Sequence, residues 1–188
     1  MKHLAPIAAA VLVFYFAAHA IAAESYKVDP VHSSAVFRIK HANAGPFWGL
    51  FRGPAGSFTL DDADVSRSTF RIEIQAGNVY TGNDQRDGHL KSPDFFNARQ
   101  YPTITFTSKS VKQNGDLLEV TGDLTLHGVT RPITATVEQT GSGQFRGKKV
   151  AGVEATLLVK MSDFQIKGMP GALSDEVKVI VGLEGQMQ

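Results

Sequence analysis

Apolar and polar side chains alternate with a period of two along most of the chain, the pattern of strands with one buried face. Ala35, Phe37, Ile39 and His41 share one face, with Val36, Arg38 and Lys40 on the other. Phe70, Ile72 and Ile74 alternate with Arg71, Glu73 and Gln75. Leu118, Val120, Gly122, Leu124 and Leu126 alternate with Glu119, Thr121, Asp123, Thr125 and His127, a parity that assigns His127 to the polar face. Ile133, Ala135 and Val137 continue the pattern, then Val153 to Met161, and finally Val177 to Leu183 against Glu176, Lys178 and Glu184.

This makes about eight or nine strands with no long helix among them. Turn chemistry separates them. "NGD" at 114–116 is a hairpin signal, "GSGQFRGKK" at 141–149 reads as a longer hairpin loop, and Pro132 is expected where a strand begins. Successive antiparallel strands with one apolar face either close on themselves or pair as two sheets. No linker or composition shift divides the chain, so one all-β domain is expected over 24–188.

One stretch departs from the alternation: "GNDQRDGHLKSPDFFN", residues 82–97. Ser92 as a hydroxyl cap, Pro93 at the first helical position and Asp94 in the first turn predict a short helix over about 93–98. A further turn is expected at 86–91, and the whole insertion, around 86–98, is expected to cover one end of the barrel or sandwich.

The first residues are different again. Lys2 and His3 precede an apolar run from Leu4 to Ala18, followed by "HAIAAE". That is the layout of a secretory signal peptide, and the run is shorter than the roughly 20 residues that span a bilayer. Cleavage is expected after Ala23, leaving 165 of the 188 residues, enough for one domain with a proper core. Without Lys2, 18 basic residues face 18 acidic ones, so the mature chain has no cationic excess with which to bind nucleic acid. There is no cysteine, hence no disulfide, no thiolate metal site and no lipidated cysteine after the signal. An exported protein is expected, periplasmic in a bacterium with two membranes.

Candidate chemistry is sparse. His32, His41, His89 and His127 stand 9, 48 and 38 residues apart, matching no short metal motif. His32 and Ser33 are neighbours on a strand and point to opposite faces, and no G-x-S-x-G elbow exposes a nucleophile. The glycines of 141–149 lack the spacing of a phosphate loop. Asp61-Asp62-Ala63-Asp64 suits a solvated turn. No catalytic residue, metal or cofactor is assigned. The most informative apolar text is "GPFWGLFRGPAGSF", 45–58, where Phe47, Trp48, Leu50, Phe51 and Phe58 crowd a glycine-rich segment. It suits either core packing at a barrel corner or the lining of an apolar cavity.

Several blocks carry a family resemblance: "YKVDPVHSSAVFRIKH", "TGNDQRDGHLKSPDFFNARQYPTITFTS", "VTGDLTLHGVTRPI", "DFQI" and "DEVKVIVGLEG". In this order, and over nearly the whole mature chain, they resemble the YceI-like family of exported, lipocalin-like, polyisoprenoid-binding proteins. The resemblance implies an eight-stranded antiparallel barrel with a helical insertion, enclosing an apolar tunnel for a prenyl chain, and no catalysis. Its signature positions are His32-Ser33, Arg86-Asp87, Phe95-Phe96, Phe106, Asp123, His127-Gly128 and Asp163-Phe164. The chain departs from it at Gln165, where the family often has glycine, and over 42–54, which is richer in glycine and aromatics.

The expected function is therefore a periplasmic binding and carrier protein that sequesters a long-chain isoprenoid. The alternatives are other amphiphiles, such as fatty acids or their amides, and a lipid hydrolase using His32, Ser33 or His127. Phe37, Phe47, Trp48, Phe51, Phe70, Phe95, Phe96, Phe106 and Leu124 are the expected apolar ligand contacts. Arg86 is the candidate for a charged headgroup, unless Asp87 ties it into an ion pair. Partners are limited to such a lipid, with no nucleic acid, no stable membrane insertion after signal removal, and homodimerisation left open.

Overall fold

The computed structural model describes residues 23–188, so all but the last residue of the expected signal segment lies outside the described residues. Eleven strands form one antiparallel sheet. They are β1 (Glu24–Val28), β2 (Ser34–His41), β3 (Gly45–Arg52), β4 (Ala55–Leu60), β5 (Thr69–Gln75) and β6 (Val79–Tyr80). After the single α-helix, α1 (Asp84–Leu90), come β7 (Thr103–Asn114), β8 (Leu117–Leu126), β9 (Val129–Phe145), β10 (Lys148–Lys160) and β11 (Glu176–Met187).

The register reduces these eleven to an eight-stranded barrel. β1 and β2 are two halves of one bent strand, and β3 and β4 are the halves of its hairpin partner. β5 and β6 are likewise one strand, kinked by the 3-10 turn Ala76–Asn78. The last strand closes the ring, pairing with β2 through Val179↔Phe37 and with β1 through Val28↔Gly185. Closure removes the free sheet edges that an open sheet of alternating strands would leave.

The end that holds β1 and β4 is packed solid. Tyr26 stacks on Phe58 at 5.2 Å and Phe58 on Phe70 at 6.2 Å, and Val111, Leu118, Val120 and Leu183 fill in around them. The Tyr26 hydroxyl donates to Glu24, which also receives Lys149. Burial first, then that hydrogen bond, pushes the Tyr26 phenol above its ordinary value.

The opposite end splays. β9 leaves β10 beyond the Thr136↔Thr156 pair, and the 3-10 turn Met161–Phe164 takes its place, burying Phe164 and Ile166. β6 pairs only with β3, so a gap between β6 and β7 is filled by α1 and residues 92–102.

Five sequence expectations change here. The helix lies at Asp84–Leu90, over the further turn expected at 86–91 and not at 93–98, because Asn83 caps it, accepting from the Arg86 N–H at 2.9 Å. Residues 92–97 instead turn back on its C-terminal end: the Phe96 N–H reaches the Leu90 carbonyl at 3.0 Å and Asn97 adopts φ +45°. Residues 141–149 are strand rather than loop, with a two-residue turn at Arg146-Gly147, both at positive φ. Pro132 sits inside β9 opposite Asp123, tolerated because β9 has no second strand neighbour there. Strand β8 ends at Leu126, so His127, with φ +53°, belongs to a tight turn and not to a polar strand face. The acidic turn also differs: Asp61 is buried, its Oδ2 2.6 Å from the Arg67 guanidinium.

Candidate functional site

The inward faces of the splayed half enclose a cavity of about 890 Å³. Its walls are the residues that the alternation sends inward, from Ala35, Phe37 and Ile39 on β2 to Val177, Val179 and Val181 on β11. That volume lies toward the upper end of the roughly 300–1,000 Å³ usual for ligand pockets.

Cross-strand pairing keeps the lumen open. Phe37 lies opposite Gly49 and its ring occupies the space a side chain there would need: a Cβ on Gly49 would sit 2.3 Å from Phe37 Cζ. The aromatic thus lies against the neighbouring strand rather than across the barrel. This is the reason for one glycine in the aromatic-rich 45–58 segment.

Apart from Thr105 on β7, the polar side chains of the lining collect at one end. His41, Asn83, Gln85, Arg86 and His89 line the cavity there, beside the β2–β3 tip and the 169–173 loop. This loop is tied down by backbone hydrogen bonds. Ala42 N–H reaches the Ala172 carbonyl at 2.7 Å, and Gly168 N–H reaches the Asp94 carbonyl at 3.1 Å. The segment leading into it starts at Gln165, whose φ of +57° is left-handed backbone. A glycine there would relieve strain, which explains why the resemblance favours glycine at this position.

The insertion is anchored through Thr81. Arg86 Nε donates to Thr81 Oγ1 at 2.8 Å, and its terminal nitrogen donates to the Thr81 carbonyl at 2.8 Å. The Thr81 hydroxyl in turn donates to buried Asp87 at 2.5 Å. The expected Arg86–Asp87 ion pair is therefore replaced by a threonine bridge. Arg86 also stacks over Phe47, 4.3 Å from the ring centre, fixing the helix to β3. Phe95 is buried edge-on to His89 at 5.0 Å, and Phe96 meets Phe51 edge-on at 5.1 Å.

Of the ten expected ligand contacts, nine line this cavity: Phe37, Phe47, Phe51, Phe70, Arg86, Phe95, Phe96, Phe106 and Leu124. Trp48 does not. It alternates with Phe47 on β3, so the pleat turns it outward, where it is 48 % exposed. Asn83, Gln85, His89 and Met169 line the rim without having been singled out; the Asn83-Asp84 cap signal stood in the sequence and could have located the helix.

The residues of the hydrolase alternative lie elsewhere. His32, Ser33 and His127 are absent from the cavity wall. Ser33 Oγ accepts from the Glu184 N–H at 3.1 Å, and His127 Nδ1 sits 3.1 Å from the Phe164 carbonyl. His32 Nδ1 lies 3.0 Å from Asp29 and 3.7 Å from Glu184, a cluster that ties the β1–β2 break to β11. The His32 hydrogen bond, then that of the Val31 N–H, holds the Asp29 carboxyl below its ordinary value.

The closed barrel is also what known proteins share with it. Residues 26–185 match the YceI-like domain. This chain belongs to the YceI-like family. Protein YceI of Escherichia coli O6:H1 is 41 % identical over 176 residues, covering 92 % of either chain. The solved YceI protein of Campylobacter jejuni superposes with a TM-score of 0.71 at 29 % identity, over 80 % of this chain and 90 % of that one. A structure described as a polyisoprenoid binding domain from Saccharophagus degradans has the same fold, with a TM-score of 0.65 at 20 % identity, over 88 % of this chain and 99 % of that one.

Proposed function

We propose that this protein is an exported carrier, working in the periplasm after loss of residues 1–23, that shelters the tail of a long-chain isoprenoid lipid in its barrel. The observation that carries the reading is the cavity: apolar walls over its whole depth and polar groups, Thr105 apart, confined to one rim. Each CH₂ moved from water into such a space is worth about 0.8 kcal/mol, so a long hydrocarbon tail binds tightly without polar help. The rim suits the polar end of an amphiphile. The polyisoprenoid-binding description of the Saccharophagus relative supports lipid as the ligand class.

Binding rather than turnover is favoured by the placement of His32, Ser33 and His127 off the cavity wall, since catalysis needs nucleophile and base beside the substrate. Arg86 is engaged by Thr81 and Phe47, which makes it an anchor of the rim and leaves tail burial as the chief source of affinity.

Native mass spectrometry of freshly purified protein, followed by organic extraction, is expected to recover a prenyl lipid. No lipid recovered, and no binding of added prenyl phosphates, quinones or fatty acids, would sink the carrier reading; fatty acids alone would redirect it to other amphiphiles. Phe106→Asp, which plants a charge in the apolar wall, is expected to abolish lipid retention, whereas Arg86→Ala retains most of it. If both variants fold and Arg86→Ala is the worse, headgroup recognition dominates and the tail-first account is wrong.

A further inference from the structure

Inward-facing side chains of the splayed half make the cavity, but the outward face of the same wall carries a pattern of its own. The register Leu158↔Lys178, Lys178↔Arg38 and Arg38↔Trp48 places these four side chains in one row across β10, β11, β2 and β3. The adjoining row runs Ile180, Val36, Leu50 and Tyr80, extending the surface to β6. At the roughly 4.8 Å spacing of neighbouring strands, five strands make a strip on the order of 20 Å across.

The strip combines exposed hydrophobics with cations. Leu158 is 54 % exposed, Trp48 48 % and Tyr80 40 %, three of the seven exposed large hydrophobic side chains among the described residues. Arg38, Lys178, Arg52 and Lys40 lie among or beside them, and none of the four forms an ion pair among the described residues. Arg52 packs over Tyr80, 3.9 Å from the ring centre. The flanking rows hold both signs, Lys160 and Glu176 with Lys40 on one side and Glu154 with Arg52 on the other, whereas the two rows themselves carry only the cations Arg38 and Lys178. The lysines and Arg67 that are paired, by contrast, sit on other parts of the barrel. Trp48 is two residues from Pro46 at the cavity mouth.

Exposed aromatic and aliphatic groups among unpaired cations suit one surface in particular, an anionic phospholipid headgroup layer, where aromatic rings settle at the interface and Lys or Arg meet phosphate. We infer that the Leu158–Lys178–Arg38–Trp48 strip is a peripheral docking face for anionic membrane, set beside the mouth through which the cavity is reached. No helix among the described residues is long and apolar enough to cross a membrane, and surface docking needs none. The inference extends the carrier reading by supplying a place of exchange, but it rests on the outer face alone.

Trp48 is the one tryptophan of the chain, so its fluorescence reports on this strip directly. The mature protein is titrated with vesicles of phosphatidylcholine alone or mixed with phosphatidylglycerol, some carrying brominated acyl chains. Phosphatidylglycerol vesicles are expected to shift Trp48 emission to the blue and bromine to quench it, both effects fading with added salt. Arg38→Glu with Lys178→Glu is expected to weaken this binding about tenfold or more. Lys27→Glu with Lys112→Glu, an equal charge change at the filled end, leaves it nearly intact. Phe106→Asp, expected to lose its lipid, is expected to bind vesicles normally, which separates failure of this inference from failure of the carrier reading. An unshifted Trp48, an equal shift with neutral vesicles, or equal weakening by the two charge pairs would overturn it. So would a blue shift that follows protein concentration without vesicles, which would make the strip a contact between copies of the chain.

Discussion

The two ends of the barrel use the same strands and the same alternation, yet one is filled and the other hollow. At the filled end, Tyr26 stacks on Phe58 at 5.2 Å and Phe58 on Phe70 at 6.2 Å, with Phe70 also forming the floor of the cavity. At the hollow end, the tip of Phe37 rests over Gly49, aliphatic side chains share the wall with Phe47, Phe51, Phe95, Phe96 and Phe106, and the strands splay around α1 and the 161–173 segment. Inward hydrophobicity is therefore common to a core and to a binding site. What separates them is whether the inward side chains stack on one another, as Tyr26, Phe58 and Phe70 do, or leave space between them, as where Phe37 settles over Gly49.

Truncating a ring at each end tests this difference most strongly. Phe58→Ala opens a void in packed structure and is expected to cost about 3–5 kcal/mol in urea unfolding. Phe96→Ala borders space that already exists, so only the transfer contribution is lost, at most about 1.5–3 kcal/mol. Equal losses would mean that the lumen is packed in solution and that the two ends do not differ.

Smaller effects are expected from filling two inward glycines. A Cβ at Gly122 would lie 2.3 Å from the Thr107 carbonyl oxygen, and backbone yields little, so Gly122→Ala is expected to cost about 1–3 kcal/mol. At Gly49 the obstacle is the tip of the Phe37 ring, which can swing into the cavity. Gly49→Ala should therefore cost less, below about 1 kcal/mol, and show itself mainly as reduced lipid capacity. The reverse order of stabilities would place the rigid wall at the wrong end.

The smallest effects are those of pH, and they too divide by end. Tyr26, at the filled end, has its phenol raised by burial and by Glu24, so its contribution is fully present below the ordinary phenol value of about 10 and is lost as pH rises above it. Asp175, at the splayed end, is lowered by hydrogen bonds from the Ser162 hydroxyl and N–H. Its contribution is present above the ordinary carboxyl value of about 4 and fades as pH falls below that. Thermal midpoints should accordingly become less alkali-sensitive in Tyr26→Phe and less acid-sensitive in Asp175→Asn. An unchanged acid limb in Asp175→Asn would show that this carboxylate does not hold the splayed end.

Period-two alternation was enough to mark β2, β5, β8, β9, β10 and β11 and most of their inward residues, because the pleat converts sequence parity directly into face. It failed for Trp48, which was grouped with its aromatic neighbours although parity with Phe47 turns it outward. It also placed His127 on a strand that ends one residue earlier, since a tight turn of positive φ breaks the count. The main helix was expected at 93–98 because Ser92-Pro93-Asp94 reads as a start, while the Asn83-Asp84 cap before the further turn at 86–91 went unread. Only the burial of Phe95 and the hydrogen bonds from 96–98 back to the helix end decide between them.

The sequence by itself determined the strand pattern, the inward and outward faces, the family and the absence of any motif for metal, phosphate or nucleophilic chemistry. Those follow from local periodicity and residue type, which need no knowledge of what lies across the barrel. Which half is hollow, how Thr81 joins Arg86 to Asp87, and that Leu158, Lys178, Arg38 and Trp48 form one row were decided only by tertiary structure. Each depends on register between strands far apart in the chain, and a cross-strand neighbour leaves no mark on the local sequence.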